Sequence, residues 1–327
     1  MHIPGMAGIR RWGTAVPGTD PGCKKTAGKI PGKEEQEMRT VYIRVQEAYM
    51  TATEKFHIKD KIAVITGGAG LLGRKHAEAV IEGGGIPVLL DISKAAIEKT
   101  KTALQAAYGD DCMVLGYACD ITERSDVEKT ANDLSERYGH VDVLINNAAN
   151  NPKMEGSAAN MKALRFEDFP ASMWLEDLAV GLTGAFLCAQ VYGGLMAGQG
   201  SGVILNISSD LGIIAPDQRI YRREGLAEEE QSVKPVTYSV IKHGLIGLTK
   251  YLATYYADKG VRANALCPAG VFNGQDEEFV GKLTNLIPMG RMADAGEYKS
   301  TVLYMISDAS SYMTGSTVIV DGGRTCW

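Results

Sequence analysis

The 327-residue chain has a net charge of −5, 45% hydrophobic residues and 22% charged residues, enough apolar material for one large α/β domain. The mild acidity gives no net basic field to attract nucleic acid, and no run of 18 or more apolar residues marks a membrane span or, after Arg10 and Arg11, a secretory leader. Six cysteines without CxxC spacing and five histidines without paired spacing argue against a metal site or disulfide framework, and predict a cytoplasmic protein with reduced thiols.

Residues 1–57 are rich in Gly, Pro, Lys and Thr and lack a sustained period. They read as an N-terminal extension, disordered to about residue 38 because it cannot bury enough apolar surface to offset its ordering entropy. A short amphipathic piece is expected over Val41–Tyr49, and Met50 is an alternative start.

From Lys61 onward short apolar runs alternate with helical patterns. A strand over Ile62–Thr66 leads into the turn Gly67-Gly68-Ala69-Gly70-Leu71-Leu72-Gly73 and a helix over Leu71–Glu82. Glycines there let backbone approach a pyrophosphate, whose charge the helix N-terminus meets. The next strand, Ile86–Asp91, ends on a carboxylate placed to accept both ribose hydroxyls and to repel a 2′-phosphate, which favours NAD over NADP. A helix over Lys94–Ala107, a strand over Met113–Cys119, a helix over Arg124–Tyr138 and a strand over Val141–Asn146 follow, then a long helix over Ala171–Met196 and a strand over Val203–Ser208.

The segment Leu211–Pro235 is a long connection rich in Arg219, Arg222, Arg223 and Lys234. Connections beyond ~12–15 residues are usually functional or disordered, and arginines suit bidentate binding of phosphate or carboxylate, so Arg219 is a candidate substrate ligand. Lys153 is a second candidate at the same mouth. The helix Tyr238–Ala257 opens with Tyr238 and Lys242, spaced i, i+4 on one face. An ammonium one turn from a phenol, beside a positive nicotinamide, is expected to pull the phenol below its free pKa of ~10 and make it a usable base and acid. A strand over Arg262–Cys267, a helix over Ala295–Ile306 and a strand over Thr317–Val320 complete the chain. This alternation predicts a single domain over 58–327: a doubly wound, Rossmann-type parallel sheet of about seven strands flanked by helices.

Over 58–327 the chain resembles the short-chain dehydrogenase/reductase family. The resemblance rests on Thr66–Gly73, Ala118-Cys119-Asp120-Ile121, Asn146-Asn147-Ala148-Ala149, Asn206-Ile207-Ser208-Ser209, Tyr238-Ser239-Val240-Ile241-Lys242, Pro268-Ala269-Gly270 and Val320-Asp321-Gly322-Gly323, in the family's order. It implies that Asp120 and Ile121 flank the adenine, that Asn147 and Ala148 line the cofactor near its ribose, and that Pro268, Gly270 and Val271 contact the nicotinamide side. It gives Ser209 the task of orienting the substrate oxygen, with Ser208 as the competing assignment, and gives Lys242 a hold on the nicotinamide ribose. Three positions depart from the pattern. Leu71 stands where the compact subgroup has glycine, Gly181 stands where many relatives carry a catalytic asparagine, and Phe272-Asn273-Gly274 replaces a threonine, leaving Asn273 as a possible carboxamide partner.

Within the family, Ala215–Arg219, Val236–Lys242 and Gly270–Gln275 resemble bacterial dehydrogenases of surface-sugar and flagellin modification, including legionaminic-type pathways. That implies a small-molecule substrate of phosphorylated or nucleotide-linked sugar type. The alternatives are a 3-oxoacyl-thioester reductase, a polyol dehydrogenase and, in another class, a non-catalytic NAD-binding regulator. The small-residue face of the Tyr238 helix (Gly244, Gly247, Ala253) and the tail Ser316–Trp327 are, in relatives, subunit contacts, which implies a homodimer or homotetramer.

Overall fold

The structure, a computed structural model, describes residues 50–150 and 163–327; the expectations for residues 1–49 and for Lys153 lie outside them. Seven strands alternate with helices: β1 (Ile62–Thr66), β2 (Ile86–Asp91), β3 (Leu115–Ala118), β4 (Val143–Asn146), β5 (Gly202–Ile207), β6 (Val261–Pro268) and β7 (Thr317–Val320). They form one sheet in the order β3-β2-β1-β4-β5-β6-β7, parallel at every pairing. Strand order reverses between β1 and β4, so the carboxyl ends of these strands open on a crevice, the usual ligand position in an open α/β sheet.

The central strands are mostly apolar because both faces are covered. Along β1, Ile62 and Val64 join one buried cluster with Leu144, Ile204 and Tyr192, while Ala63 and Ile65 join the opposite cluster with Leu89, Leu205 and Val302. The helices that cover these faces are α1 (Leu71–Glu82), α2 (Lys94–Tyr108), α3 (Arg124–Tyr138), α4 (Ala171–Gln199), α5 (Val236–Tyr255) and α7 (Lys299–Ile306). One polar chain crosses the apolar layer. Asn146 Nδ2 donates to Asn206 Oδ1 (2.8 Å), and Asn206 Nδ2 donates to Thr249 Oγ1 of α5 (2.8 Å), which fixes the helix against β4 and β5.

Several elements differ from the sequence reading. The compact unit starts at Thr51, before the expected boundary at 58: Ile58 is fully buried and the Phe56 ring lies 6.2 Å from that of Tyr304. The stretch α4 is long and apolar enough to cross a membrane by length and composition, although polar residues interrupt its apolar run. Here its Cys188, Ala189, Tyr192 and Met196 are core residues against the sheet. It is also not one regular helix, because Ala179–Thr183 forms a π-helical turn. The expected helix Ala295–Ile306 opens as a 3-10 turn over Ala295–Tyr298. A short helix α6 (Glu277–Thr284) was not foreseen; Asp276 caps it by accepting from Phe279 N at 2.9 Å. Its Leu283 packs on Ile220, Ile287 and Met292, so it ties down the 211–235 segment.

Candidate active site

The turn after β1 is built for close backbone approach. Gly67 sits at φ +60°, and a Cβ on Gly73 would lie 2.1 Å from Gly67 O, so α1 starts tight against the turn. Thr66 latches this turn to β4: its Oγ1 accepts from Asn147 N and Ala148 N, each at 3.0 Å. Asn147 Nδ2 in turn donates to Thr66 O (3.0 Å) and Gly67 O (3.2 Å). No side chain caps the N-terminus of α1, which leaves backbone donors and the positive end of the helix facing the cleft.

That cleft has room of about 370 Å³. Gly67, Gly70, Leu71, Leu72, Asp91, Asp120, Ile121, Asn147 and Ala148, all singled out from the sequence, line it, whereas Gly73 acts by packing beneath. Ile92, Asn150 and Val180 also line it, and sequence reasoning missed them because none belongs to a motif position; Cys119, inside the motif before Asp120, lines it too but was given no role. The Asp91 carboxylate stands at the cleft with Oδ2 accepting from Ala69 N (3.3 Å) and Oδ1 from Ser93 N (3.1 Å). A glycine cradle that a Cβ would fill, an uncapped helix start and a carboxylate at the end of β2 together fit a dinucleotide. Pro268 ends β6 on the same sheet edge, with Gly270 and Val271 in the turn beyond it; the structure does not bring these three into the cleft lining. Asn273 is exposed, its N–H donating to Gln275 Oε1 at 2.7 Å.

Beside the cleft, β5 and α5 bring three polar side chains together. Lys242 is buried, donates from Nζ to Ile207 O at 2.8 Å, and stands 5.7 Å from the centre of the Tyr238 ring one helical turn away. Ser209, just past β5, lies close enough to the Tyr238 phenol to act on its acidity. Ser208, the competing serine, has its hydroxyl engaged elsewhere, donating to Lys242 O at 2.7 Å. Asn150 lines both the dinucleotide cleft and the small cavity at Tyr238, so the two are neighbours.

The electrostatics differ from expectation. Desolvation raises the Tyr238 pKa; the neighbouring Ser209 hydroxyl opposes this and the Asp210 charge adds to it. Lys242 falls to about 8, again mainly through desolvation and then through Lys234. Burial thus disfavours both charged forms, and the protein's own side chains do not supply the depressed tyrosine expected from the i, i+4 spacing.

Two further clusters were not visible in the sequence. Asp210 accepts from Ser209 Oγ (2.7 Å) and pairs with Arg324 of the C-terminal tail (2.8 Å), both side chains almost fully buried. Asp177 accepts from Thr237 Oγ1 (2.6 Å) and Asn150 Nδ2 (3.3 Å) beside Tyr238. It lies one turn before Gly181, where an added Cβ would stand 2.7 Å from Ile241 Cγ2; the space an asparagine side chain would need is filled by the residue next to Lys242. Arg219, the sequence candidate for substrate binding, is not brought to the site. It forks onto its neighbour Asp217 (2.7 Å) with its side chain 85% exposed.

Comparison with known proteins agrees with this geometry. Residues 61–221 match the short chain dehydrogenase family, and residues 225–325 match a family described as enoyl-(acyl carrier protein) reductase. An NAD-dependent glycerol dehydrogenase of Listeria innocua is 32% identical, covering 83% of this chain and 96% of its own. An NADP-dependent mannitol dehydrogenase of Hypocrea jecorina is 31% identical, with 83% and 94% covered. Post-translational flagellin modification protein A of Campylobacter coli is 27% identical, with 81% and 98% covered. A short-chain type dehydrogenase/reductase from Mycobacterium marinum superposes with a TM-score of 0.72 at 26% identity, covering 85% of this chain and all of that one. With its glycine turn, its Ser209–Tyr238–Lys242 cluster and this similarity along the folded unit, the chain belongs to the short-chain dehydrogenase family of oxidoreductases.

Proposed function

We propose that this protein is an NAD-linked dehydrogenase that interconverts a secondary alcohol and a ketone on a polyhydroxylated small molecule. One observation carries the reading: Ser209, Tyr238 and Lys242 converge at the end of β5, next to the cleft bounded by the glycine turn and Asp91. When bound, the nicotinamide supplies or accepts the hydride. The side chains do the rest. Tyr238 takes the hydroxyl proton during oxidation and returns one during reduction. Ser209 holds the oxygen whose charge changes. Lys242, anchored on Ile207 O, keeps a cation one turn from the phenol and is placed to hold the ribose.

NAD is preferred to NADP in this reading because the Asp91 carboxylate at the cleft would repel a 2′-phosphate. The substrate class rests on relatives named for glycerol and mannitol. A homodimer or homotetramer is favoured by the exposed, stacked Tyr251 and Tyr255 on α5, a patch that suits a subunit contact; a clean monomer by light scattering would contradict that.

The test is reduction of NAD+ and NADP+ by the full chain with a panel of polyols and sugar derivatives. NADH formation is expected with at least one of them, with kcat/KM favouring NAD+ by about tenfold or more, the effect of ~1.4 kcal/mol. NADH binding without turnover on any compound would favour a non-catalytic regulator, and preference for NADP+ would overturn the role given to Asp91.

A further inference from the structure

The segment between Ser209 and α5 delivers a cation to the reacting phenol that hydride transfer does not use. Lys234 precedes Tyr238 by one helical turn's spacing, and its Nζ stands 3.9 Å from the centre of the Tyr238 ring, nearer than Lys242 at 5.7 Å. The position is held from both sides: Lys234 N donates to Gln218 Oε1 (2.8 Å), and Gln218 Nε2 donates to Lys234 O (3.2 Å). Pro235 then fixes the entry into α5.

The surrounding cations are already neutralised. Arg219 pairs with Asp217, Arg222 with Glu228, Arg223 with Asp276, Lys282 with Glu278 and Arg324 with Asp210. Among the described residues, Lys234 has no carboxylate within ion-pair distance. Asp210 acts on it only at longer range and is held by Arg324. Asp177, which lines the same small cavity, is engaged by Thr237 and Asn150. The face of the Tyr238 ring offsets part of the cost of a desolvated ammonium, and burial still draws the Lys234 pKa down to about 8. A partly desolvated cation without a counterion is unfavourable until an anion arrives.

We propose that Lys234 seats an anionic group of the substrate, a carboxylate or phosphate close to the reacting carbinol carbon, so that the substrate is an anionic polyol derivative. This rests on the proposed hydride transfer at Tyr238 and narrows its substrate class. The site is distinct from the arginines of the same segment, which face outward on their own carboxylates.

The experiment compares glycerol, erythritol and glucitol, each beside its aldonate and its terminal phosphate, with the full-length protein and NAD+. The anionic members are expected to exceed the neutral polyol by about tenfold or more in kcat/KM, mostly through KM, the scale of one charge-assisted contact. Aldonate against phosphate identifies the source of the charge. Lys234→Met is expected to collapse that ratio and Lys234→Arg to restore part of it, with NADH affinity retained. A neutral polyol used as well as its anionic partners, or a ratio unchanged in Lys234→Met, overturns the proposal. Absence of turnover with every compound would count against the hydride-transfer reading instead. The anion seat is then read by calorimetry of the same trios on the NADH-loaded protein, where Lys234-dependent binding of the anionic members supports it and its absence overturns it.

Discussion

Ser209 has one hydroxyl proton and two claimants. It donates to Asp210 Oδ1 at 2.7 Å, and the Tyr238 phenol is its other neighbour. Arg324 donates to the other oxygen of the buried Asp210 carboxylate at 2.8 Å. The pair therefore sets how the serine is turned and, in the proposed mechanism, how the substrate oxygen is held. Arg324→Met leaves the Asp210 carboxylate unpaired in the interior, a loss of roughly 3–5 kcal/mol by comparison with other buried pairs, and the melting temperature is expected to fall accordingly. The Asp210→Asn, Arg324→Met double variant should recover part of that loss, because the buried charge is gone; calorimetric scans of the three proteins check this, and an unchanged Tm in the single variant would show that the pair is not coupled to folding. The partners lie 114 positions apart, which is why no local pattern announced them. Tyr238, Lys242 and Asp91 were singled out for the opposite reason: the first two lie within one helical turn, Asp91 ends a strand, and the glycine turn and the family resemblance gave those positions their meaning.

At the scale of elements, the π-helical turn Ala179–Thr183 interrupts the apolar helix at the level of the site. Such turns cluster where a helix is adapted to function, yet the residues read as continuous helix because the hydrophobic pattern runs on through them. Gly181 is the contact point, with Ile241 Cγ2 only 2.7 Å from where a Cβ would be. Gly181→Asn restores the residue many relatives carry and is expected to cost about 1–3 kcal/mol by overpacking, and it should lower turnover because Ile241 adjoins Lys242. Denaturant unfolding together with a steady-state assay checks both; an asparagine tolerated without loss would mean that the interface of α4 and α5 yields easily. The short helix α6 was missed although Asp276 and the acidic first turn Glu277-Glu278 are an N-terminal signal, because eight residues give too few turns for a clear period. The same helix explains how a segment with mixed charge becomes ordered: Ile220 and Tyr221 sink into an apolar cluster with Leu283 and Phe279, leaving the charged residues to pair on the surface.

Across the whole molecule, the strand order and its reversal between β1 and β4 place two functions on one sheet edge. The dinucleotide cleft lies over β1, β2 and β4, and the proposed proton-transfer group lies over β5 and α5. The alternation of strands and helices was readable because buried parallel strands are nearly continuous apolar runs; the placement of the C-terminal tail against Asp210 was not, since it depends on where the far edge of the sheet ends. Because the two functions rest on different elements, they separate experimentally, and Tyr238→Phe is the most direct measurement. Turnover is expected to fall by roughly 100-fold or more, the usual worth of a general acid and base, while the Kd for NADH stays within about twofold. Turnover close to that of the unaltered protein would contradict the account.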